Sequence, residues 1–173
     1  MKLTWDVIYQ NAVAFSHKWR NASSEQSESQ PFMLDFIQLF GVDDPLEGGT
    51  FESTLPMRDG TTGYIDYFWP GHIAIEMKSR GKNLAGAYKQ LKKYMDSVEA
   101  DDIPDLWMVS DFEHIRLTRR STGEYFGFKT ENLADNIKRF ADLAGYARGL
   151  DGGRPDGAIS NFNFIPNPPL GVI

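Results

Sequence analysis

The side chains in this sequence best suited to chemistry are two carboxylates and one ammonium group, Asp66, Glu76 and Lys78, in the stretch YIDYFWPGHIAIEMK. Its Pro70-Gly71 pair suits a type II turn, because proline presets φ at the first corner and glycine tolerates positive φ at the second. We therefore predict a β-hairpin. Successive strand residues face opposite ways, so Glu76 and Lys78 share a face. Closing the hairpin brings Asp66 opposite Glu76 or one residue diagonal from it.

This arrangement of like charges requires a counter-charge. Two carboxylates held close in a poorly solvated segment repel each other, and one tends to stay protonated unless a cation is supplied. Lys78 supplies one positive charge, and a divalent metal would supply the rest. Because carboxylate oxygens suit Mg²⁺, the pattern predicts a magnesium site at Asp66 and Glu76. The alternative is a solvated hairpin face on which Glu76 and Lys78 form a weak surface pair.

Length and composition limit what surrounds this stretch. A chain of 173 residues predicts one domain with a short appendage, and 41% hydrophobic residues are enough for a core. The absence of cysteine excludes disulfides and thiolate metal sites and fits a reducing cytoplasm. The first residues are too polar for a signal peptide, and no apolar run approaches the ~20 residues of a membrane span. We therefore expect a cytoplasmic protein.

The distribution of charge is more informative than its total. A net charge of −6 argues against tight nucleic-acid binding by the chain as a whole. However, residues 78–93 contain six basic residues and no acidic one, directly after the carboxylate pair. Such a basic stripe predicts a phosphate-facing surface, although a solvated helix face is the alternative. The residues assigned here to DNA binding are Arg80, Lys82, Lys89 and Lys93.

The order of hydrophobic patterns predicts an α/β fold with a mixed central β-sheet flanked by helices on both sides. Helices are predicted over residues 5–19 with a Thr4 cap, 25–40, 84–98 with an Asn83 cap, and 132–146. In the second of these, Pro31 indicates that the regular helix starts only there. Residues 42–49 are predicted as a loop, and strands at 50–55, the hairpin, 105–110, 114–118 and 124–128. Residues 1–150 form the predicted domain, and 151–173 a tail or linker.

Four further polar residues are candidates for the site. Glu25 and Glu28 lie on one side of a helix start, where negative charge is favourable in any protein. For Glu25 we favour that simple interpretation, whereas for Glu28 an additional carboxylate over the metal site is equally open. Gln90 and Tyr94 are spaced i, i+4, so they share a helix face and can touch. They would lie at the edge of the site, with ordinary helix surface as the alternative.

Asp66, nine intervening residues and Glu76-Met77-Lys78, on a hairpin followed by a helix, resemble the PD-(D/E)xK nuclease superfamily. Longer segments resemble the N-terminal endonuclease domain of type IIL, MmeI-like restriction–modification enzymes, over residues 5–146. These segments are EMKSRGKNLAGAYKQLKKY, GYIDYFWPG and PDLWMVSDFEHIRL. The resemblance implies a restriction-endonuclease-like fold and a Mg²⁺-dependent DNA endonuclease, with Mn²⁺ able to substitute.

The resemblance also implies roles for individual residues. Asp66 and Glu76 would bind Mg²⁺ with the carbonyl of Met77, and Lys78 would be the catalytic lysine. The family's upstream Glu-x-Gln-x-Phe motif corresponds to the segment beginning at Glu28. Its Gln-x-x-x-Tyr motif corresponds to the pair Gln90 and Tyr94, which we therefore include among the catalytic candidates.

The partners implied by the resemblance are double-stranded DNA and the methyltransferase and target-recognition domains of the family, in the parent chain or in trans. A homodimer is expected where both strands are cut. Other interpretations stay open: a relative that acts on RNA or nicks DNA in repair, a non-catalytic module that binds nucleic acid or a partner, and a structural ion cluster. A Ser-His-Asp hydrolase is not supported, because the sequence has no Gly-x-Ser-x-Gly elbow.

Overall fold

A computed structural model describes residues 2–146, which form one six-stranded mixed sheet with helices on both faces and so confirm the predicted class. The strands follow chain order across the sheet, and only β3 and β4 are parallel. The strands are β1 Thr50–Pro56, β2 Thr62–Trp69, β3 Ile73–Met77, β4 Leu106–Ser110, β5 His114–Arg119 and β6 Glu124–Lys129. The helices are α1 Trp5–Trp19, α2 Glu25–Gln38, α3 Pro45–Gly48, α4 Leu84–Met95 and α5 Leu133–Asn136. The domain boundary predicted at residue 150 and the tail lie outside the described residues.

One face of the sheet is covered by α1, α2 and the helical segments around α5. This core is rich in phenylalanine, and Phe36 packs edge-on against Phe15, Phe40 and Phe140. Burying such rings contributes roughly 2–3 kcal/mol each, with edge-to-face contacts adding to it. The apolar side chains of β3 that point to this face, Ile73, Ile75 and Met77, are fully buried. The residues of β3 that point the other way are thus held by a rigid support.

The other face is covered by α4, which packs on β2, β3 and β4. Its apolar stripe, Leu84, Ala87, Leu91 and Met95, is buried as the spacing predicts. Asn83 caps the helix, because its side-chain oxygen accepts the N–H groups of Ala85 and Gly86 at 2.9 and 3.3 Å. The helix therefore begins only six residues after Lys78, and the intervening turn is short.

The predicted start of α2 at residue 25 is confirmed, but the expectation that the regular helix starts only at Pro31 is wrong. The helix begins at Glu25 and passes through Pro31 without a break. A proline at this position removes the N–H that would bond the carbonyl of Ser27. Ser27 is exposed, so water can reach that carbonyl, and the loss of one hydrogen bond is tolerated.

Two other elements also differ from prediction. Residues 42–49 contain the short helix α3, which Asp44 caps by accepting the Leu46 N–H at 2.9 Å. The last predicted helix is irregular, with 3₁₀ segments Thr130–Asn132 and Ile137–Ala144 on either side of α5 and a kink at Phe140. None of the helices in the described part of the chain has the length and apolar composition needed to cross a membrane.

Substitution by alanine should destabilise the protein at one glycine and have little effect at another. In Gly49→Ala, the new Cβ would lie against the Tyr67 ring, 2.7 Å from its Cε2 atom. Tyr67 is fully buried and donates its hydroxyl to the Pro45 carbonyl, so it cannot move freely. We expect a loss of about 1–3 kcal/mol in the free energy of unfolding, measured by urea denaturation. Gly127→Ala, where no heavy atom lies within 4 Å, is the matched control and should change stability by less than about 0.5 kcal/mol. Equal losses in the two variants would contradict this account.

Candidate active site

The hairpin between β2 and β3 forms with the predicted turn and register. Gly71 has a φ of 74°, and the His72 N–H donates to the Trp69 carbonyl at 3.0 Å, which closes the turn. Phe68 pairs with Ala74 and the next pair is Tyr67 with Ile75, so Asp66 comes opposite Glu76. The regular pairing of β2 with β3 ends at this point. Instead of a further backbone hydrogen bond, a side-chain oxygen of Asp66 accepts the Met77 N–H at 2.6 Å.

The strand β2 twists at Asp66. Strict alternation would put Ile65 and Tyr67 on one face, yet Ile65 packs in the cluster with α4 and Tyr67 in the opposite cluster. On the neighbouring strand β1, Glu52 lies opposite Asp66 and has a φ of 47°, which is uncommon for a residue other than glycine. The local backbone is therefore bent where the first carboxylate projects.

Glu76 is the most unusual group of the site. Its side chain is 3% exposed, and its Oε1 lies 3.2 Å from the Lys78 Nζ. Its Oε2 has no hydrogen-bond partner within the described residues. Burial, followed by the nearby Asp66, raises the pKa of Glu76 to about 7 despite the opposing charge of Lys78. Burial likewise raises the pKa of Asp66, with smaller contributions from Glu25 and Glu52.

These two carboxylates fit a divalent cation. A buried carboxylate oxygen without a partner is costly, and a hard cation would satisfy it. Residues 2–146 contain no cluster of three or more His, Cys, Asp or Glu side chains placed to hold a metal. Asp66 and Glu76 remain the predicted carboxylate ligands, with backbone carbonyl and water oxygens for the rest. The carbonyl of Met77 remains the predicted third protein ligand.

Lys78 lies between two acidic side chains. Its Nζ is 3.2 Å from Glu76 and 3.6 Å from Glu25. Burial alone would lower the pKa of this lysine, but Glu76, Glu25 and Asp66 together outweigh it and the net pKa is raised. Lys78 is therefore a positively charged ammonium group at neutral pH, held in place by charge-assisted contacts.

Of the two glutamates at the start of α2, Glu25 contacts the site and Glu28 does not. Glu25 and Ser79 bind each other reciprocally: the Glu25 N–H donates to the Ser79 hydroxyl at 3.1 Å, and the Ser79 N–H donates to the Glu25 carboxylate at 3.3 Å. Glu28 accepts the N–H groups of Ser23 and Ser24 at 2.9 and 2.8 Å, which lower its pKa. The simple interpretation favoured for Glu25 was thus incomplete. The structure assigns Glu28 to the start of its own helix.

Sequence reasoning missed Asp111. This carboxylate is 2% exposed and accepts the Gly81 N–H at 3.0 Å and the His114 N–H at 2.7 Å. It also lies 3.2 Å from the Nδ1 atom of His114. Asp111 thereby fixes the turn that follows Lys78. A signal was present, because Asp111 directly follows a strand parallel to β3, and the carboxyl ends of neighbouring parallel strands lie at one edge of a sheet.

Gln90 and Tyr94 contact each other as their spacing predicts, through a 2.6 Å bond between the Gln90 Nε2 and the Tyr94 hydroxyl. The Tyr94 ring covers Gly63, which lies three residues before Asp66 on β2. Among residues 2–146, no hydrogen bond or ion pair joins this pair to the carboxylates or to Lys78. A role for them in the site stays a prediction.

The four basic residues assigned to DNA binding have different surroundings. Arg80 donates to the carbonyls of Ala22 and Arg20 at 2.9 and 2.8 Å and lies 3.3 Å from Glu113, so it braces a loop. Lys93 is 3.1 Å from Asp59. Lys82 and Lys89 are exposed and form no salt bridge in the described part of the chain. Contact of these four with DNA stays a prediction.

Comparison with known proteins agrees with the fold and with the resemblance in sequence. The family model for "MmeI, N-terminal domain" matches residues 10–151. The sheet and helices superpose on a chain of the cryo-EM structure of the DrdV–DNA complex with a TM-score of 0.53 and 16% sequence identity. The match covers 79% of this chain but only 14% of that chain, and it shows a shared fold. A comparison with curated proteins gave no match.

The raised pKa of Glu76 predicts a pH-dependent cost to stability. The folded state binds this proton more tightly than the unfolded state, so stability falls as the pH rises from about 4.5 to about 7. In the absence of divalent metal, Glu76→Gln should therefore be more stable than the parent at pH 8, by about 1–3 kcal/mol, with no difference near pH 4. Urea unfolding at both pH values measures this difference. Glu99→Gln, at an exposed position, controls for the loss of one negative charge. A variant no more stable than the parent at pH 8 would contradict the argument.

Proposed function

The chain belongs to the MmeI N-terminal domain family, and we propose that it is the Mg²⁺-dependent DNA endonuclease module of a restriction–modification enzyme. The observation that supports this most directly is the buried, unpartnered Oε2 of Glu76 beside Asp66 and the Lys78 ammonium. The substrate would be the phosphodiester backbone of double-stranded DNA. The DrdV chain of similar fold is in a complex with DNA, which supports this choice of substrate.

Asp66 and Glu76 would hold the ion, with the Met77 carbonyl as a further ligand and Mn²⁺ as an alternative to Mg²⁺. When bound there, a divalent ion neutralises charge on the phosphate and lowers the pKa of a coordinated water. The protein contributes the orientation of the two carboxylates. The β-ladder stops at Asp66, whose carboxylate is held by the Met77 N–H, whereas Glu76 is held by its position on the buried strand β3 and by Lys78.

Hydrolysis requires water to attack phosphorus while the bond from phosphorus to one sugar oxygen breaks. Negative charge grows on the phosphate oxygens and on the leaving oxygen, and a fixed positive charge stabilises both. Lys78 provides that charge, and its raised pKa suits it to orient the water and offset charge rather than to remove a proton. Glu25, 3.6 Å from the Lys78 Nζ, steadies this ammonium group together with Glu76.

Sequence recognition would belong to other parts of the enzyme. The chain spans only 14% of the length of the DrdV chain that it matches. We propose that target recognition and methylation are carried by further domains, in the same chain or in trans. A homodimer, or a second copy recruited on DNA, would allow both strands to be cut.

The nuclease proposal predicts Mg²⁺-dependent nicking of supercoiled plasmid by the parent chain. Lys78→Ala should lower the nicking rate by about 10²–10³-fold, the usual effect of removing one group that stabilises transition-state charge. Lys138→Ala, beside Trp5 on the face of the sheet that α1 and α2 cover, is the control and should nick at the parental rate. Circular dichroism would establish that both variants are folded. Parental nicking by folded Lys78→Ala would contradict the assigned role. Absence of parental nicking, together with no Mn²⁺ binding in calorimetry, would contradict the nuclease proposal.

Substitutions of the two glutamates of α2 should affect different properties, the nicking rate for Glu25 and the stability for Glu28. Glu25→Gln weakens the second ionic contact of Lys78, so we expect about a tenfold loss of nicking rate under single-turnover conditions. Glu28→Gln weakens a charged hydrogen bond at the helix start and should cost up to about 1 kcal/mol of unfolding free energy. Its nicking rate per folded molecule should stay at the parental level. The opposite pattern, with Glu28→Gln impaired in nicking and Glu25→Gln unaffected, would restore the role first assigned to Glu28.

A further inference from the structure

The face of the sheet that carries Glu76 continues, beyond α4, across β5 and β6. α4 packs on β2, β3 and β4, and its Tyr88 ring meets the Tyr125 ring of β6 at 6.3 Å. Past this contact the surface is open, because a Cβ added to Gly127 would meet no heavy atom within 4 Å in the described part of the chain. The structure therefore leaves an open strip of sheet beside the candidate active site.

Three basic side chains lie on this strip, and we name them the β5–β6 basic face. They are His114, Arg116 and Lys129. Arg116 pairs with Val109, in the row of Glu76, and Tyr125 of β6 contacts Tyr88 of α4, so this is the α4 face of the sheet. Alternation places the other two basic residues on the same face. The remaining residues of β5 and β6 on this face are Thr118, Tyr125 and Gly127, so no acidic residue of either strand faces this way.

The β5–β6 basic face is aligned with the carboxylates by strand register. Val109 pairs with Glu76 on one side and with Arg116 on the other, so these three residues form one row across the sheet. Adjacent strands are about 4.8 Å apart, which puts Arg116 roughly 10 Å from Glu76 and the strand of Lys129 roughly 14 Å away. Successive phosphates of one DNA strand lie at least about 3.4 Å apart. Both distances therefore correspond to a few nucleotides at most.

The positive charge of this face is available to a ligand. Within residues 2–146, Arg116 and Lys129 form no salt bridge, whereas Arg80 and Lys93 of the predicted basic stripe do. Burial raises the pKa of the nearby Tyr125 hydroxyl, so this neighbour carries no negative charge that would neutralise Arg116. The nearby carboxylate of Asp111 is 2% exposed and is bonded to Gly81 and His114, so it faces the protein interior.

We propose that the β5–β6 basic face binds backbone phosphates of the DNA within a few nucleotides of the cleaved bond. This inference rests on the proposed nuclease function, since it takes the carboxylates as the position of the scissile phosphate. Arg116 and Lys129 contribute the charge, and His114 donates a hydrogen bond from the edge nearest the turn after Lys78. These contacts position the duplex and do not read its sequence.

The test is DNA binding by the full 173-residue chain, measured by fluorescence anisotropy with a 20-base-pair duplex over a range of salt concentrations. Ca²⁺ replaces Mg²⁺, because it is also an oxygen-ligand cation. The variant is Arg116→Gln with Lys129→Gln. The matched control is Lys2→Gln with Lys138→Gln, which removes the same charge beside Tyr146 and Trp5 on the opposite face of the sheet. The charge-preserving variant Arg116→Lys with Lys129→Arg tests for a purely structural effect.

We expect the first variant to weaken binding about tenfold and to reduce the slope of log affinity against log salt by about 1.8, corresponding to two lost phosphate contacts. The control and the charge-preserving variant should bind like the parent. Equal weakening by variant and control would overturn the proposal, because it would reflect net charge alone. Unchanged binding by the variant, or no detectable binding by the parent, would also overturn it.

The plasmid assay distinguishes failure of this inference from failure of the proposed function. If the parent nicks plasmid and the Arg116 and Lys129 variant binds DNA normally, the nuclease stands and the binding face is wrong. If the variant loses binding as expected but the parent never nicks plasmid and binds no Mn²⁺, the binding face stands on a module without nuclease activity.

Discussion

The structure depends on one unfavourable interaction, the confinement of two carboxylates at a point where water is scarce. Glu76 is buried on a strand whose five residues are all buried, and the single ammonium of Lys78 is shared with Glu25. Burying charge in this way costs several kcal/mol of folding free energy. Such a cost is common at sites where the charge later binds a ligand. The apolar clusters on both faces of the sheet stabilise the strand that carries Glu76.

The surrounding elements each hold one segment of the site through hydrogen bonds to backbone N–H groups. Asp66 is held by the Met77 N–H, because β2 leaves the ladder at that residue. Asp111 fixes the turn after Lys78, and Ser79 joins that turn to the start of α2. These bonds connect four segments of chain at the carboxyl ends of the parallel strands β3 and β4. Main-chain hydrogen bonds therefore fix the backbone of the site and the Asp66 carboxylate, whereas Glu76 and Lys78 are held by their ion pair and by Glu25.

The sequence predicted the features that depend on local chemistry and missed those that depend on contacts distant in sequence. The hairpin could be predicted because its turn residues and its alternation lie within one short segment. Helical period alone does not distinguish Glu25 from Glu28, since residues three apart share a helix face. The choice is made by Ser79, 54 residues away. Likewise, the predicted basic stripe was read from adjacency in sequence, whereas Arg116 and Lys129 become neighbours only through the pairing of β5 with β6.

The charge of the molecule gives a physical reason for separating cleavage from recognition. Each neutralised phosphate contributes to affinity mainly through counterion release, so a face with two or three cations binds weakly at physiological salt. The net charge of −6 reduces long-range attraction to DNA further. A nuclease with these properties would cut DNA only slowly while free in solution. In the proposed enzyme, a recognition domain raises the local concentration of DNA at the carboxylates, and a few oriented phosphate contacts then suffice to align the backbone.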